Sequence, residues 1–304
     1  MKTLTQPTTA YNLTAWFVSV PPGKEIPDYT VLEEAMENQT GLLHETGDVN
    51  ELLIENPGDH DLFIQAGDIV KGGRQDRTLG VDFIVPAKSG KVPVPVFCVE
   101  AARWHKRRSE SDVYFSKSSD FTSSKKLRAA LREAKNQSMV WASVAEEQTK
   151  LSAAMGSDAT CAESPSSLQL SYEKKETVSA VEDYLTGLES LPSAETAGVV
   201  WAINGKLSHA DIYASPVLFR KVWRKLLRAA ALEAIGERTA KPVEPLRDIA
   251  EVSAWLEEAA AAAAEDENLP PRTRLSTRRA KAQLRFETRD TVIDEPIHLS
   301  ILAQ

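Results

Sequence analysis

Between residues 72 and 105 the chain carries three polar blocks: Gly72-Gly73-Arg74-Gln75-Asp76-Arg77-Thr78, then Cys98-Val99-Glu100, then Arg103-Trp104-His105. They interrupt segments that otherwise read as apolar β structure. Gly72 and Gly73 reach backbone angles barred to other residues and let another group approach the main chain closely. Arg74 and Arg77 offer planar forks matched to carboxylate or phosphate. Gln75 and Asp76 supply groups that read hydroxyls or an amide. Together these residues would cradle an anionic, hydroxyl-rich molecule such as a nucleotide or a sugar phosphate. The alternative is a β-turn whose arginines pair with nearby carboxylates and fix the sheet register. The run is not a P-loop, because the spacing, the Lys and the following Ser/Thr are wrong.

The second block has its own logic. In a strand over residues 92–100, Val94, Val96, Cys98 and Glu100 share a face, apolar until its end. A carboxylate at the rim of an apolar face has a raised pKa unless paired, which suits proton transfer. Asp76 and Glu100 are therefore the candidate general bases. The competing reading is an ion pair of Glu100 with Arg74, Arg77 or Arg103. Cys98 reads more readily as a small buried residue than as a nucleophile. Trp104 would stack on a base or sugar or serve as a core residue. His105 is an acid–base group or a solvated neighbour of Lys106-Arg107-Arg108. The five histidines, His44, His60, His105, His209 and His298, show no HxH or HExxH spacing, and there is no CxxC. No metal site is expected from spacing, though one assembled across loops stays open. No GxSxG elbow is present.

The elements that must position these residues come from 304 residues with 42% hydrophobic and 26% charged side chains, a globular composition. The formal charge of −8 argues against nucleic acid as a partner, despite local basic runs at 103–108 and 272–281. No stretch approaches the roughly 18 apolar residues of a membrane span, and the N-terminal residues lack the apolar core of a signal peptide. Cys98 and Cys161 alone make a disulfide framework unlikely to arise, so a cytoplasmic location is expected.

Short β-prone runs separated by turn signals fill residues 13–20, 41–45, 50–56, 62–65, 69–71, 80–85 and 92–100. Beyond 115 the spacing turns helical: one or two helices over 125–155, another over 172–188, one from Ser215-Pro216 to Gly236, and one over 248–266. Asn204-Gly205 between two apolar runs predicts a hairpin over 198–213. Strands are predicted at 283–287 and 297–302. The expected fold is α+β, a single intertwined domain over 1–304. An antiparallel β-sandwich-like region (1–115) would pack with a mostly helical region (116–304) that carries the hairpin, its last strands rejoining the sheet.

Three ordered blocks resemble a known family. They are the strand and turn over 66–77, the run Val96-Phe97-Cys98-Val99-Glu100-Ala101-Ala102-Arg103-Trp104, and the hairpin 198–206 leading to 214–219, Trp223, Leu226-Leu227 and Ala230. The chain is similar, over about Leu13 to Ser300, to the ARG and rhodanese-phosphatase-superfamily-associated protein domains of the first type, where ARG is ADP-ribosylglycohydrolase. It departs from the pattern at Ala102, where glycine is expected, and at Arg74, where lysine is common. The resemblance implies association with ADP-ribose and phosphate chemistry and carries no established catalytic residues.

Two functions follow as expectations. One is binding of a nucleotide or ADP-ribose-like molecule by Gly72, Gly73, Arg74, Gln75, Arg77, Arg103 and Trp104. The other is an enzyme on the same ligand, with Asp76 or Glu100 as base and the arginines facing developing negative charge. The alternative is a structural or oligomerisation protein whose polar cluster is an internal salt-bridge network. The expected partner is a small molecule, ADP-ribose- or NAD-related, with a second copy of the chain as a further candidate; nucleic acid and membrane are not expected. No cofactor is specified.

Overall fold

The computed structural model describes residues 3–21, 25–101, 103, 115–134, 136–188, 192–241 and 243–304. The fold is α+β, and the chain divides into two units, Met1–Asp28 with Asp183–Gln304, and Tyr29–Glu182. The first unit is thus built from both ends of the chain.

The first unit holds an antiparallel sheet of nine strands among the described residues. Leu13–Ser19 pairs with Thr196–Ile203, then come Lys206–Tyr213, Glu295–Ala303, Gln283–Asp290, Thr273–Ala280 and Ala264–Leu269. The C-terminal strands therefore join the sheet of the first long strand, Leu13–Ser19, rather than that of the strands between 42 and 122. Alternation sorts the side chains. Trp16, Val18, Val200, Ala202, Ile212, Leu299 and Ile301 point one way, onto Val252 and Leu256 of the helix Ile249–Glu258. Phe17 and Trp201 point the other way, onto Trp223 of the helix Pro216–Gly236. With both faces covered, all eight residues of Thr196–Ile203 are buried, which is why that strand reads as a continuous apolar run.

The hairpin turn forms at Asn204-Gly205, with φ of 50° and 71°, as a primed two-residue turn requires. A Cβ on Gly205 would lie 2.5 Å from the Glu244 carbonyl oxygen, so packing as well as torsion demands glycine there. Ser215 caps the next helix by accepting the Leu218 N–H at 3.2 Å. The helix expected over 248–266 ends at Glu258, and Ala264–Leu269 is instead a strand paired with Thr273–Ala280. The alanines favour helix locally, but six ladder pairs, Ala264↔Arg278 to Leu269↔Thr273, override that preference.

The second unit carries a six-stranded sheet in the order Phe115–Thr122, Asp68–Gly72, Arg77–Leu79, Ser89–Cys98, Glu51–Asn56, Leu42–Glu45, and a three-stranded sheet of Phe83–Val85, Leu62–Ile64 and Thr30–Val31. The helical stretch after 124 is interrupted. Lys125–Ala129 runs into a π turn, Ala130–Ala134, and Gln137–Met155 starts afresh where Asn136 accepts the Ser138 N–H at 2.9 Å. From that helix the buried Gln148 donates to the carbonyls of Pro165 and Ser167 and to Ser171 Oγ. It thereby fixes the loop that brings Ser164 and Ser167 to the polar cluster described next.

Candidate functional site

The turn between Asp68–Gly72 and Arg77–Leu79 meets the end of strand Ser89–Cys98 because Cys98 pairs with Arg77 across the ladder. Past the last paired residue the chain bends, and the Val99 N–H donates to the Asp76 carbonyl at 3.1 Å. Glu100 lies beyond the strand rather than on its face. Its carboxylate turns inward, where Oε2 accepts the Asp76 backbone N–H at 3.1 Å and Oε1 accepts Ser164 Oγ at 2.5 Å. Gln75 Nε2 donates to the Glu100 carbonyl at 3.0 Å.

Arg103 closes the cluster. Its Nε lies 2.7 Å from Glu100 Oε2, an ion pair rather than an aligned hydrogen bond. Its Nη2 is 3.4 Å from Asp76 Oδ1, and Nη1 donates to the Gly73 carbonyl at 3.3 Å. Asp76 also accepts the Gly72 N–H at 3.3 Å and Ser167 Oγ at 3.0 Å. Arg77 donates to the Gln75 carbonyl and its Oε1, and its Nη2 sits 3.7 Å from Glu45. Among the described residues its Nε has no hydrogen-bond partner.

The cluster is closed. Gln75, Asp76 and Glu100 have 0% of their surface exposed, Arg77 1% and Arg103 6%. Gly73 shows what its missing Cβ is for: at φ 54° a Cβ would lie 2.6 Å from Phe115 Cζ and 2.9 Å from Glu45 Oε2. The space the glycine leaves is filled by the protein's own ring and carboxylate. Arg74 alone of the turn residues is exposed, its backbone N–H reaching Glu45 at 3.5 Å.

Burial pushes the Cys98 thiol up to about 11, against the pull of Arg77. Its Sγ lies 2.9 Å from Gln75 Oε1, and Gln137 brackets its backbone, accepting the N–H at 2.9 Å and donating to the carbonyl at 2.8 Å. This is a protonated, packed thiol, not an activated nucleophile.

The structure thus brings together Gly72, Gly73, Gln75, Asp76, Arg77, Glu100 and Arg103. Trp104 and His105 lie outside the described residues. Sequence reasoning missed Glu45, Gln137, Ser164 and Ser167. Ser164-Pro165-Ser166-Ser167 is a short polar run in the sequence; nothing in its spacing pointed it at residues 76 and 100. Among the described residues no group of three or more His, Cys, Asp or Glu side chains is arranged to hold a metal ion.

Sheet order and cluster together define an α+β protein with an internal acid–arginine network in its second unit. The chain belongs to the ARG and Rhodanese-Phosphatase-superfamily-associated Protein domain family, whose model matches residues 2–302. No curated protein and no solved structure matches it.

Proposed function

We propose that the protein is a non-catalytic module in which the cluster of residues 72–103 is an internal brace, joining the 72–77 turn, the end of strand Ser89–Cys98 and the loop 164–167. Burial of the charged groups carries this reading. A general base must reach hydrogen-bond distance of the proton it removes, whereas Asp76 and Glu100 are wholly covered and already accept from Arg103, Ser164 and Ser167. Buried charges persist when they are paired and hydrogen-bonded, and here each carboxylate is both. Two free cysteines suit a reducing compartment such as the cytoplasm.

Ligand binding, to a nucleotide or ADP-ribose-like molecule, keeps one supporting observation: Arg74 is exposed at the tip of the same turn. A thermal-shift panel on the full chain with ADP-ribose, NAD and nucleotides separates the readings. The brace reading expects no stabilisation by any of them and a lower Tm in both Glu100→Gln and Arg77→Ala. Saturable stabilisation that disappears in Arg74→Ala, at a solvated position, overturns it.

A further inference from the structure

The first unit contains a cavity of about 400 Å³ that owes nothing to the acid–arginine cluster. Val20, Ile26, Ile212 and Leu299 line it with Arg285 and Glu287. Register explains the grouping: Leu299 lies opposite Ile212 on one side and Glu287 on the other, so all three share a face, and Arg285 shares it through its partner Ile301. It is the face that the helix Ile249–Glu258 covers, and Ile212 and Leu299 belong both to the core under that helix and to the cavity wall. The cavity is therefore a continuation of the apolar core, with the volume of a small-molecule site.

Its charges are unequal in their commitments. Glu287 lies 3.5 Å from Arg289, which also reaches Asp294 at 3.5 Å. Among the described residues Arg285 forms no ion pair, and its one hydrogen bond runs from Nη1 to the Leu256 carbonyl at 3.2 Å, in the last turn of the helix. That contact caps an orphan helix carbonyl and leaves the rest of the fork without a hydrogen bond among the described residues, with only the more distant charges of Glu287 and Glu257 acting on it. Burial pushes the guanidinium down from its ordinary value, the direction expected of a cation short of solvent.

We propose that this cavity binds a small monocarboxylate with an apolar tail, the tail lying along Val20, Ile26, Ile212 and Leu299 and the carboxylate meeting Arg285. A planar fork is the natural partner of a carboxylate. Glu287 is offset by Arg289, which leaves Arg285 to meet one negative charge, while Glu295 in the same wall opposes any further one. The same opposition excludes nucleotides and other polyanions, so this site is separate from any ligand of the 72–77 turn.

The test is calorimetric titration of the full chain with octanoate, 1-octanol and octyl phosphate. Octanoate binds saturably, 1-octanol and the dianionic phosphate more weakly. Arg285→Gln weakens octanoate by about tenfold or more, the worth of a charge-assisted hydrogen bond, and leaves 1-octanol unchanged. Val20→Trp, at the half-buried rim where Val20 packs on the core, blocks both, its fold being checked by circular dichroism, and the parent chain's preference for octanoate over 1-octanol keeps the test decisive should either variant unfold. No heat with octanoate, or equal affinity for octanoate and 1-octanol, or octanoate affinity untouched by Val20→Trp, overturns the proposal.

Discussion

Removing the cation from the cluster is the sharpest test of a brace. In Arg103→Met the neutral side chain keeps much of the arginine's bulk, but Glu100 loses an ion pair at 2.7 Å and Asp76 one at 3.4 Å. Two carboxylates then stay behind at zero exposure, facing hydroxyl and backbone donors from Ser164, Ser167, Gly72 and Asp76. Breaking a buried pair by deleting one partner costs about 3–5 kcal/mol. The triple variant Asp76→Asn/Glu100→Gln/Arg103→Met removes all three charges while leaving amide groups to meet the same donors, and it recovers more than half of the loss. Hydrogen exchange of the Asp76 and Val99 amides, both bonded inside the cluster, reports local stability, with urea unfolding alongside. A single variant within about 0.5 kcal/mol of the parent, the scatter of ordinary surface changes, refutes the reasoning. So does a triple variant no more stable than the single one.

Further outcomes follow from individual residues. Gly73→Ala places a Cβ 2.6 Å from Phe115 Cζ at φ 54° and lowers stability by about 2 kcal/mol or more from overpacking and left-handed strain together, read by urea unfolding. A thiol reagent at pH 8 labels the part-exposed Cys161 in the native chain and Cys98 only after denaturation. Because the folded Cys98 pKa is raised to about 11 from 9.0, its contribution is whole below pH 9 and is lost between pH 9 and 11; Cys98→Ala flattens that part of the stability profile. Glu147 accepts from Tyr172 and from Ser124 Oγ at 2.8 Å, yet burial pushes its carboxyl up. Glu147→Gln therefore removes a loss of stability that otherwise sets in as pH rises above the ordinary carboxylate range, a slope measurable by thermal melts from pH 4.5 to 8.

Much of the fold was legible because its signals are local. Asn204-Gly205 and Ser215-Pro216 act within four residues, and both formed as read, the first as a primed turn and the second as a helix start. β-prone runs bounded by turn signals over residues 13–20 and 50–56 marked strands that exist at Leu13–Ser19 and Glu51–Asn56. What failed was non-local. The alanine-rich run after Glu258 favours helix by propensity, and only the partner strand Thr273–Ala280, itself buried and part-buried by turns, turns Ala264–Leu269 into an edge strand. The acidic character of Ala264–Leu269 suits that position, since charge on an edge discourages pairing with other chains.

The cluster poses a different problem. Glycines, arginines and carboxylates at those spacings have the same composition whether they face a ligand or each other, because both tasks ask for close backbone approach and planar donors matched to oxygen. The two cases differ in who supplies the complementary atoms. For the 72–77 turn those atoms come from far away in the chain: Phe115 and Glu45 occupy the space beside Gly73, while Ser164 and Ser167 take up the carboxylate oxygens of Glu100 and Asp76. None of these four carries a mark of its destination in its own sequence neighbourhood. Arg285 is the converse case. It sits in a strand that reads as an alternating polar face, with nothing to single it out, and it is distinguished only by the cavity wall the fold places it in and by the single hydrogen bond its fork makes there. A carboxylate-matched fork beside a 400 Å³ apolar space becomes visible once the register Ile212↔Leu299↔Glu287 is known. The chemistry that composition advertised is spent internally, and the chemistry left uncommitted lies where composition was silent.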